Sequence, residues 1–498
     1  VKFSNAELCE CIKTIVAQTI LPNLGNPESQ AAAVAISTAM DELIKRDLST
    51  PALLADLVPE GRAISREILD RLTELGLQEA TLLRRQLDDF DVIADNGLEG
   101  LAQRYNLLLK MMEVGCKALH EAGDRFPEHK RAIQRVIDQA GRWDLAYVLR
   151  QQAAVAETQP SNASTQSLTG EKLQAFLEGA MVEGQGIRVS GFQRVPGGMS
   201  KQTYFFTLTD RSGSEDLVVR KANNAQLLDL GCLNIKREYY LLKDVYAAGF
   251  PCPEPLLFAD EPAGTDGSYF IMRKAPGKLL GSFFGANQMI PEGLLMHLAE
   301  TFARLHAIPM EQFAPNIAQY SDSKYIGCTV EQALRYNLDA FYVFWRSLER
   351  LPSPMEIRTL DWLRDNIPRN SNPVVLTHND LLIHNFLADG ERIASVLDWE
   401  GANFGDPASD LGYVKAEVSK HMDWGRFLAH YRAHGGQPID ESAFAYHETI
   451  TNLRNLVGTN KHTTTIKTGR GDPKDILLTY NYVPVFMSII DRNIGGGK

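Results

Sequence analysis

Three polar residues within positions 376–413 carry the chemistry of this sequence. Asp380 is followed after five positions by Asn385, and after thirteen more by Asp398. Together they offer a carboxylate that can receive or orient a hydroxyl proton, plus an amide oxygen and a second carboxylate. The latter two are hard oxygen ligands of the kind that hold Mg²⁺ on nucleotide phosphates, and the full set is what phosphoryl transfer requires.

The surrounding residues must bring these groups together. Residues 373–377 read as a buried strand, and Phe386-Leu387-Ala388 as a second short one. Asp389-Gly390 is a strong hairpin signal, and residues 393–397 read as the return strand. A hairpin brings its far end back beside its start. Asp398 is therefore expected beside Asn385, both near the loop that carries Asp380.

The pattern H-N-D-x-x-x-x-N at 378–385, followed by D-W-E at 398–400, parallels the H-R-D-x-x-x-x-N loop and D-F-G Asp of protein kinases. From about residue 170 onward the chain resembles the aminoglycoside phosphotransferase and choline kinase-like family. Its run D-W-E-G-A-N-F-G-D-P-A-S-D-L-G-Y is similar to the branch related to the kinase domains of acyl-CoA dehydrogenase families ten and eleven. Two positions depart from that family: Asn379 stands where Gly is usual, and Leu382 where His or Arg is usual.

The resemblance implies a kinase-like, two-lobed α+β fold with ATP as co-substrate and Mg²⁺ as cofactor. Asp380 would be catalytic, with Asn385 and Asp398 as metal ligands. The stretch V-P-G-G-M-S-K-Q-T-Y at 195–204 matches the family's G-G-x-S-N-x-T-Y apart from Lys201. It places Gly197, Gly198 and Ser200 at the phosphates, where a glycine turn lets backbone N–H groups approach closely.

Strand alternation turns Arg220 inward as the phosphate-binding cation and Lys221 to the opposite face. Glu238, in I-K-R-E-Y-Y, is Arg220's expected partner. Met272 precedes a hinge at 273–277 and is either core filling or a wall of the adenine pocket. His306 and His378 are expected to be structural, the latter supporting the catalytic loop. Asp406 is expected to cap or anchor that loop, and Asp410 to cap the next helix.

The 498 residues exceed one ordinary core, and the boundaries read as four segments. Residues 1–155 form an all-helical accessory domain and 156–168 a polar linker. Residues 169–280 form a β-rich nucleotide lobe, and 281–498 a helical lobe with the catalytic loop, metal and acceptor site. In the accessory domain Leu8, Ile12, Ile15 and Val16, then Leu107, Leu108, Met111 and Met112, recur at helical spacing. The methionine pair reads as core. The aromatic run at 320–345, with Tyr336, Phe341 and Trp345, reads as core or as an acceptor wall.

A net charge of −11 argues against nucleic acid or an anionic membrane as partner. No apolar run approaches a membrane span, and Val1-Lys2-Phe3-Ser4 lacks the apolar core of a secretion signal. The six scattered cysteines show no metal spacing, so reduced thiols and a cytoplasmic setting are expected.

The expected activity is transfer of the γ-phosphoryl of ATP to a hydroxyl of a small molecule. The resemblance points to a hydroxyacyl-CoA or another hydroxylated catabolite as acceptor. Alternatives are an aminoglycoside or choline-type kinase, and a nucleotide-binding pseudokinase that recruits a partner. Homo-oligomerisation is left open.

Overall fold

The structure is a computed structural model. It describes residues 27–93, 98–152, 168–180, 186–195, 201–211, 213–222, 234–260, 267–280, 290–320, 322–467 and 476–495, together with Cys9, Ile12, Lys13, Val16, Ile20, Leu21, Leu24 and Pro262. The linker expected at 156–168 lies outside these residues except for Leu168. Among them no helix is long and apolar enough to cross a membrane.

The chain divides into two compact units, Val1–Ser164 with Trp345–Asn366 and Thr449–Lys498, and Thr165–Phe344 with Ile367–Glu448. The first is helical. Helices Pro27–Glu74, Leu98–Ala122 and Lys130–Gln152 pack around Leu57, Ile68, Leu72, Leu108, Val136 and Trp143, all nearly inaccessible to solvent. Met111 and Met112 lie in this core.

The division differs from a helical lobe running unbroken from 281 to 498. Helix Pro354–Asp365 is buried along Pro354 to Asp361, so it must be enclosed rather than lie on a surface. It sits among the N-terminal helices and Ile476–Gly495. Arg358 bonds Asp138 at 2.6 Å and Asp491 at 2.7 Å. The start of this helix is held from a distant part of the chain. Asp144 accepts the Ser353 hydroxyl at 2.6 Å and the Met355 N–H at 3.2 Å.

The second unit is α+β. Its main sheet is antiparallel, in the order β1 (Arg188–Arg194), β2 (Lys201–Asp210), β3 (Gly213–Ala222), β5 (Tyr269–Arg273), β4 (Pro255–Ala259). Alternation sorts its faces. One face carries Tyr204, Phe206, Leu208, Leu217, Val219, Tyr269 and Ile271, which pack with Leu173 and Leu177 of helix Gly170–Ala180. Lys221 is buried in register with Tyr269 and so lies on this face.

The opposite face carries Arg220, paired with Thr203 and Phe270, and Val218, paired with Met272. Met272 therefore shares the face of Arg220. After β5 the chain turns through Gly277, at φ 107, into β6 (Lys278–Leu279). A Cβ at Gly277 would meet Leu387 Cβ at 2.9 Å, so only glycine lets this connection lie against the hairpin that holds Leu387.

Strand β7 (Val375–Thr377) precedes the loop that carries Asp380, and β8 (Phe386–Asp389) and β9 (Arg392–Val396) form the expected hairpin. Strand β10 (Asn403–Gly405) pairs back onto β7, a pairing the sequence reading did not include.

Candidate active site

Asp380 stands in the loop after β7. Its Oδ2 accepts from Asn385 Nδ2 at 2.8 Å, and its Oδ1 accepts from the Tyr413 hydroxyl. Asn385 Nδ2 also donates to the Asp380 carbonyl at 2.8 Å. Both partners are acceptors, which fixes the amide's orientation and leaves Asn385 Oδ1 without a donor among the described residues. The Asp380 side chain remains 41% exposed, so it is open to solvent. Burial, with Asp380 next, pushes the Tyr413 phenol well above its usual range.

The loop's backbone is held by one buried carboxylate. Asp410 accepts the His378 N–H at 2.9 Å and the Asn379 N–H at 2.6 Å, and it lies 3.1 Å from His306 Nε2. Asp406 is the helix cap: it accepts the Ala408 N–H at 2.9 Å at the start of helix Pro407–Val418. Capping therefore falls to Asp406 and loop anchoring to Asp410, the reverse of the role expected for Asp410.

Asn379 has φ 64, a left-handed conformation that Gly and Asn adopt most readily, so Asn is a fitting replacement for the family's usual Gly. Its side chain adds bonds to Thr377 Oγ1 and the Gly401 carbonyl at 3.1 and 3.0 Å. His378 is buried. Its Nδ1 accepts the Asp380 N–H at 3.3 Å and its Nε2 donates to the Leu397 carbonyl at 2.8 Å, which ties the loop to the end of β9. Burial holds this imidazole below its ordinary pKa, in keeping with a neutral, structural ring.

The hairpin delivers Asp398 as expected. Asn385 O accepts the Leu397 N–H at 2.8 Å, and Asp398 follows with φ 59. Arg220 reaches it from β3: its Nη2 bonds Asp398 Oδ1, while its Nε pairs with Glu238 Oε1 at 2.7 Å. Glu238 lies on helix Ile235–Ala247, whose Asn234 cap accepts the Lys236 N–H at 2.8 Å.

A further cation completes this cluster. Lys201, 3% exposed, lies 2.9 Å from Glu238 Oε2 and 2.8 Å from Glu400 Oε2. Burial works against its charge, but Glu238 and Glu400 hold its pKa above the ordinary value. By sequence pattern Lys201 is only a departure from a motif, and Glu400 and Tyr413 carry no signal of a role. Gly197, Gly198 and Ser200 lie outside the described residues.

The donor set fits a hard divalent cation. Asn385 Oδ1 and Asp398 Oδ2 are oxygens with no donor among the described residues, and three carboxylates (Glu238, Asp398, Glu400) face two cations. Desolvation raises the pKa of Asp398 above its ordinary value against the pull of Arg220, with Glu400 and Glu238 adding to the rise. A carboxylate so placed gains from an added positive charge.

A β-rich half that presents Arg220 and Glu238, and a loop and hairpin that present Asp380, Asn385 and Asp398, define the kinase-like class. The model of the phosphotransferase enzyme family matches residues 191–448, just over half the chain, and the chain belongs to that family. Acyl-CoA dehydrogenase family member 11 of Rattus norvegicus is 27% identical over 258 residues, 49% of this chain and 30% of that protein. Family member 10 of Mus musculus is 26% identical over 221 residues, 43% of this chain and 19% of that protein. The chain thus matches under a third of the length of these curated relatives. The crystal structure of macrolide 2'-phosphotransferase from Brachybacterium faecium has 18% identity and a TM-score of 0.40, covering 65% of this chain and 99% of that one.

Proposed function

We propose that this phosphotransferase moves the γ-phosphoryl of ATP to a hydroxyl of a small molecule at the Asp380 loop. The observation that carries the reading is the Asp380 carboxylate. It is partly exposed, held on both oxygens by Asn385 and Tyr413, and set on a loop whose backbone Asp410 fixes. Held in this way, Asp380 accepts the hydrogen bond of the acceptor hydroxyl and aims its oxygen for in-line attack. Positioning is the larger part of catalysis when the transition state is loose.

Asn385 and Asp398 would hold Mg²⁺, which when bound neutralises charge on the nucleotide phosphate oxygens. Arg220, braced by Glu238, exchanges its Asp398 contact for phosphate oxygens. Met272, on the same face of the sheet, borders the adenine. The phosphate-loop role of Gly197, Gly198 and Ser200 belongs to this reading as well.

For the acceptor we favour a hydroxyacyl-CoA or a related hydroxylated catabolite. The support is likeness to proteins named as acyl-CoA dehydrogenase family members, matched over part of their length. The test is ATP consumption, with product masses measured, over hydroxyacyl-CoAs, simple alcohols, choline and aminoglycosides. A phosphorylated hydroxyacyl-CoA supports the assignment. Turnover confined to aminoglycosides or choline overturns the acceptor, and no turnover with nucleotide still bound favours a pseudokinase.

A further inference from the structure

Away from the Asp380 site, three side chains able to ligate a metal converge within the same unit. His430 lies in the last turn of helix Trp424–Ala433, and His434 caps that helix. The two imidazoles are spaced i,i+4, with ring centroids 4.2 Å apart. Glu300, on helix Glu292–His306, turns its carboxylate to both. Its Oε1 lies 2.8 Å from His430 Nε2 and 3.5 Å from His434 Nε2. One ligating atom from each residue lies within 4.8 Å of the others, and among the described residues no other three such side chains meet this way.

The hydrogen bonds around the cluster prepare it for a cation. His434 Nδ1 lies 2.9 Å from the His430 carbonyl. A carbonyl only accepts, so a ring proton sits on Nδ1, and in the neutral ring the Nε2 lone pair faces Glu300. A backbone carbonyl on the far nitrogen is the arrangement that orients a metal-bound histidine. His297, one turn before Glu300, is engaged elsewhere, because its Nδ1 accepts the Ile393 N–H at 3.1 Å.

We propose that Glu300, His430 and His434 bind one divalent transition-metal ion of the zinc class, joining helix Trp424–Ala433 to helix Glu292–His306. Two imidazole nitrogens and a carboxylate oxygen suit Zn²⁺ and leave one tetrahedral position for water. The clip has a structural consequence. Tyr431, beside His430, hydrogen-bonds His306 Nδ1 at 2.9 Å, and His306 contacts Asp410, which anchors the Asp380 loop. Metal binding therefore stiffens the pair of helices behind that loop.

The test is titration of tag-free, chelator-stripped full-length protein with ZnCl₂ against a chromophoric chelator, with melting followed in parallel. Wild type is expected to bind one equivalent more than His434→Gln and His430→Gln, and to show a metal-dependent rise in Tm that both variants lack. Asp398→Ala should keep that equivalent, which separates it from the carboxylates around Arg220. If His430→Gln melts early without metal, His434→Gln decides, since its contact with Glu300 is the longer. Equal stoichiometry and affinity in wild type and His434→Gln overturns the site. So does the absence of any Zn²⁺ equivalent bound more tightly than millimolar, which would leave an ordinary imidazole–carboxylate contact.

Discussion

Replacing Asp380 by Asn tests the proposed reaction most directly, because the structure indicates what the change leaves intact. The carboxylate receives Asn385 Nδ2 at Oδ2 and the Tyr413 hydroxyl at Oδ1. An amide at 380 can keep its oxygen toward Asn385 and turn its NH₂ to Tyr413, whose hydroxyl can rotate and accept. The loop should then stay in place on Asp410. What disappears is the charge and basicity offered to the acceptor hydroxyl. General-base removal costs about 10²- to 10⁴-fold in kcat, or roughly 2.7 to 5.4 kcal/mol of barrier at 1.36 kcal/mol per decade. ATP affinity should be little changed, since neither Arg220 nor Asp398 touches Asp380. Steady-state kinetics with the acceptor and a direct ATP titration read the two quantities separately. Near-normal kcat would show that Asp380 is scaffolding, and an equal loss in ATP affinity would show that the loop had collapsed.

Asp398→Ala should abolish turnover and weaken Mg²⁺-dependent ATP binding while the fold survives; undiminished Mg²⁺-dependent binding would remove Asp398 from the metal set. Lys201→Met leaves buried Glu238 with Arg220 alone. We expect a fall in stability of about 3 kcal/mol, the scale for breaking a buried ion pair, together with a raised KM for ATP; an unchanged Tm and KM would show the pair to be dispensable. Asp144, buried in the first unit, has its pKa raised by that burial to about 7, above an unfolded value near 3.8. The folded state therefore holds the proton more tightly, and stability falls as pH rises from about 4 to 7. Asp144→Asn can keep both the Ser353 and Met355 bonds. It should be the more stable form at pH 8, by up to about 4 kcal/mol, with the difference vanishing near pH 4. A pH-independent difference in urea melts would refute that sign.

The hairpin and its two ends were legible because period-2 strands and an Asp-Gly turn leave little freedom in where Asn385 and Asp398 meet. The helix cap was legible too, but misassigned. Asp406 precedes Pro407, and a proline at the first helical position marks the residue before it as the cap. That frees Asp410, one turn into the helix, to accept the loop's N–H groups. The grouping of helices was not legible. Helix Pro354–Asp365 is buried on every side, and apolar periodicity identifies a face to be covered without saying which of many distant helices will cover it. Arg358 reaching Asp138 and Asp491 is a contact between segments more than a hundred residues apart, which no local pattern encodes.

Lys201 shows where reading by motif stops and register takes over. As a letter in the stretch 195–204 it is only a departure from the family's pattern. The pairing Thr203 with Arg220 changes that. Lys201 lies two residues before Thr203, so it faces the same side of the sheet as Arg220 and arrives diagonally beside it. Two cations on one face then need more than one carboxylate, and Glu238 and Glu400 supply them at 2.9 and 2.8 Å. An Asn there, as the family usually has, would leave Glu238 to Arg220 alone and would hold Arg220 more tightly to it. With Lys201 sharing Glu238, that carboxylate holds Arg220 less tightly, which in the proposed reaction eases its turn from Asp398 to a phosphate. Lys201 thus both neutralises two carboxylates and loosens the hold of Glu238 on Arg220, and this is why Lys201→Met should lower Tm and raise the KM for ATP together.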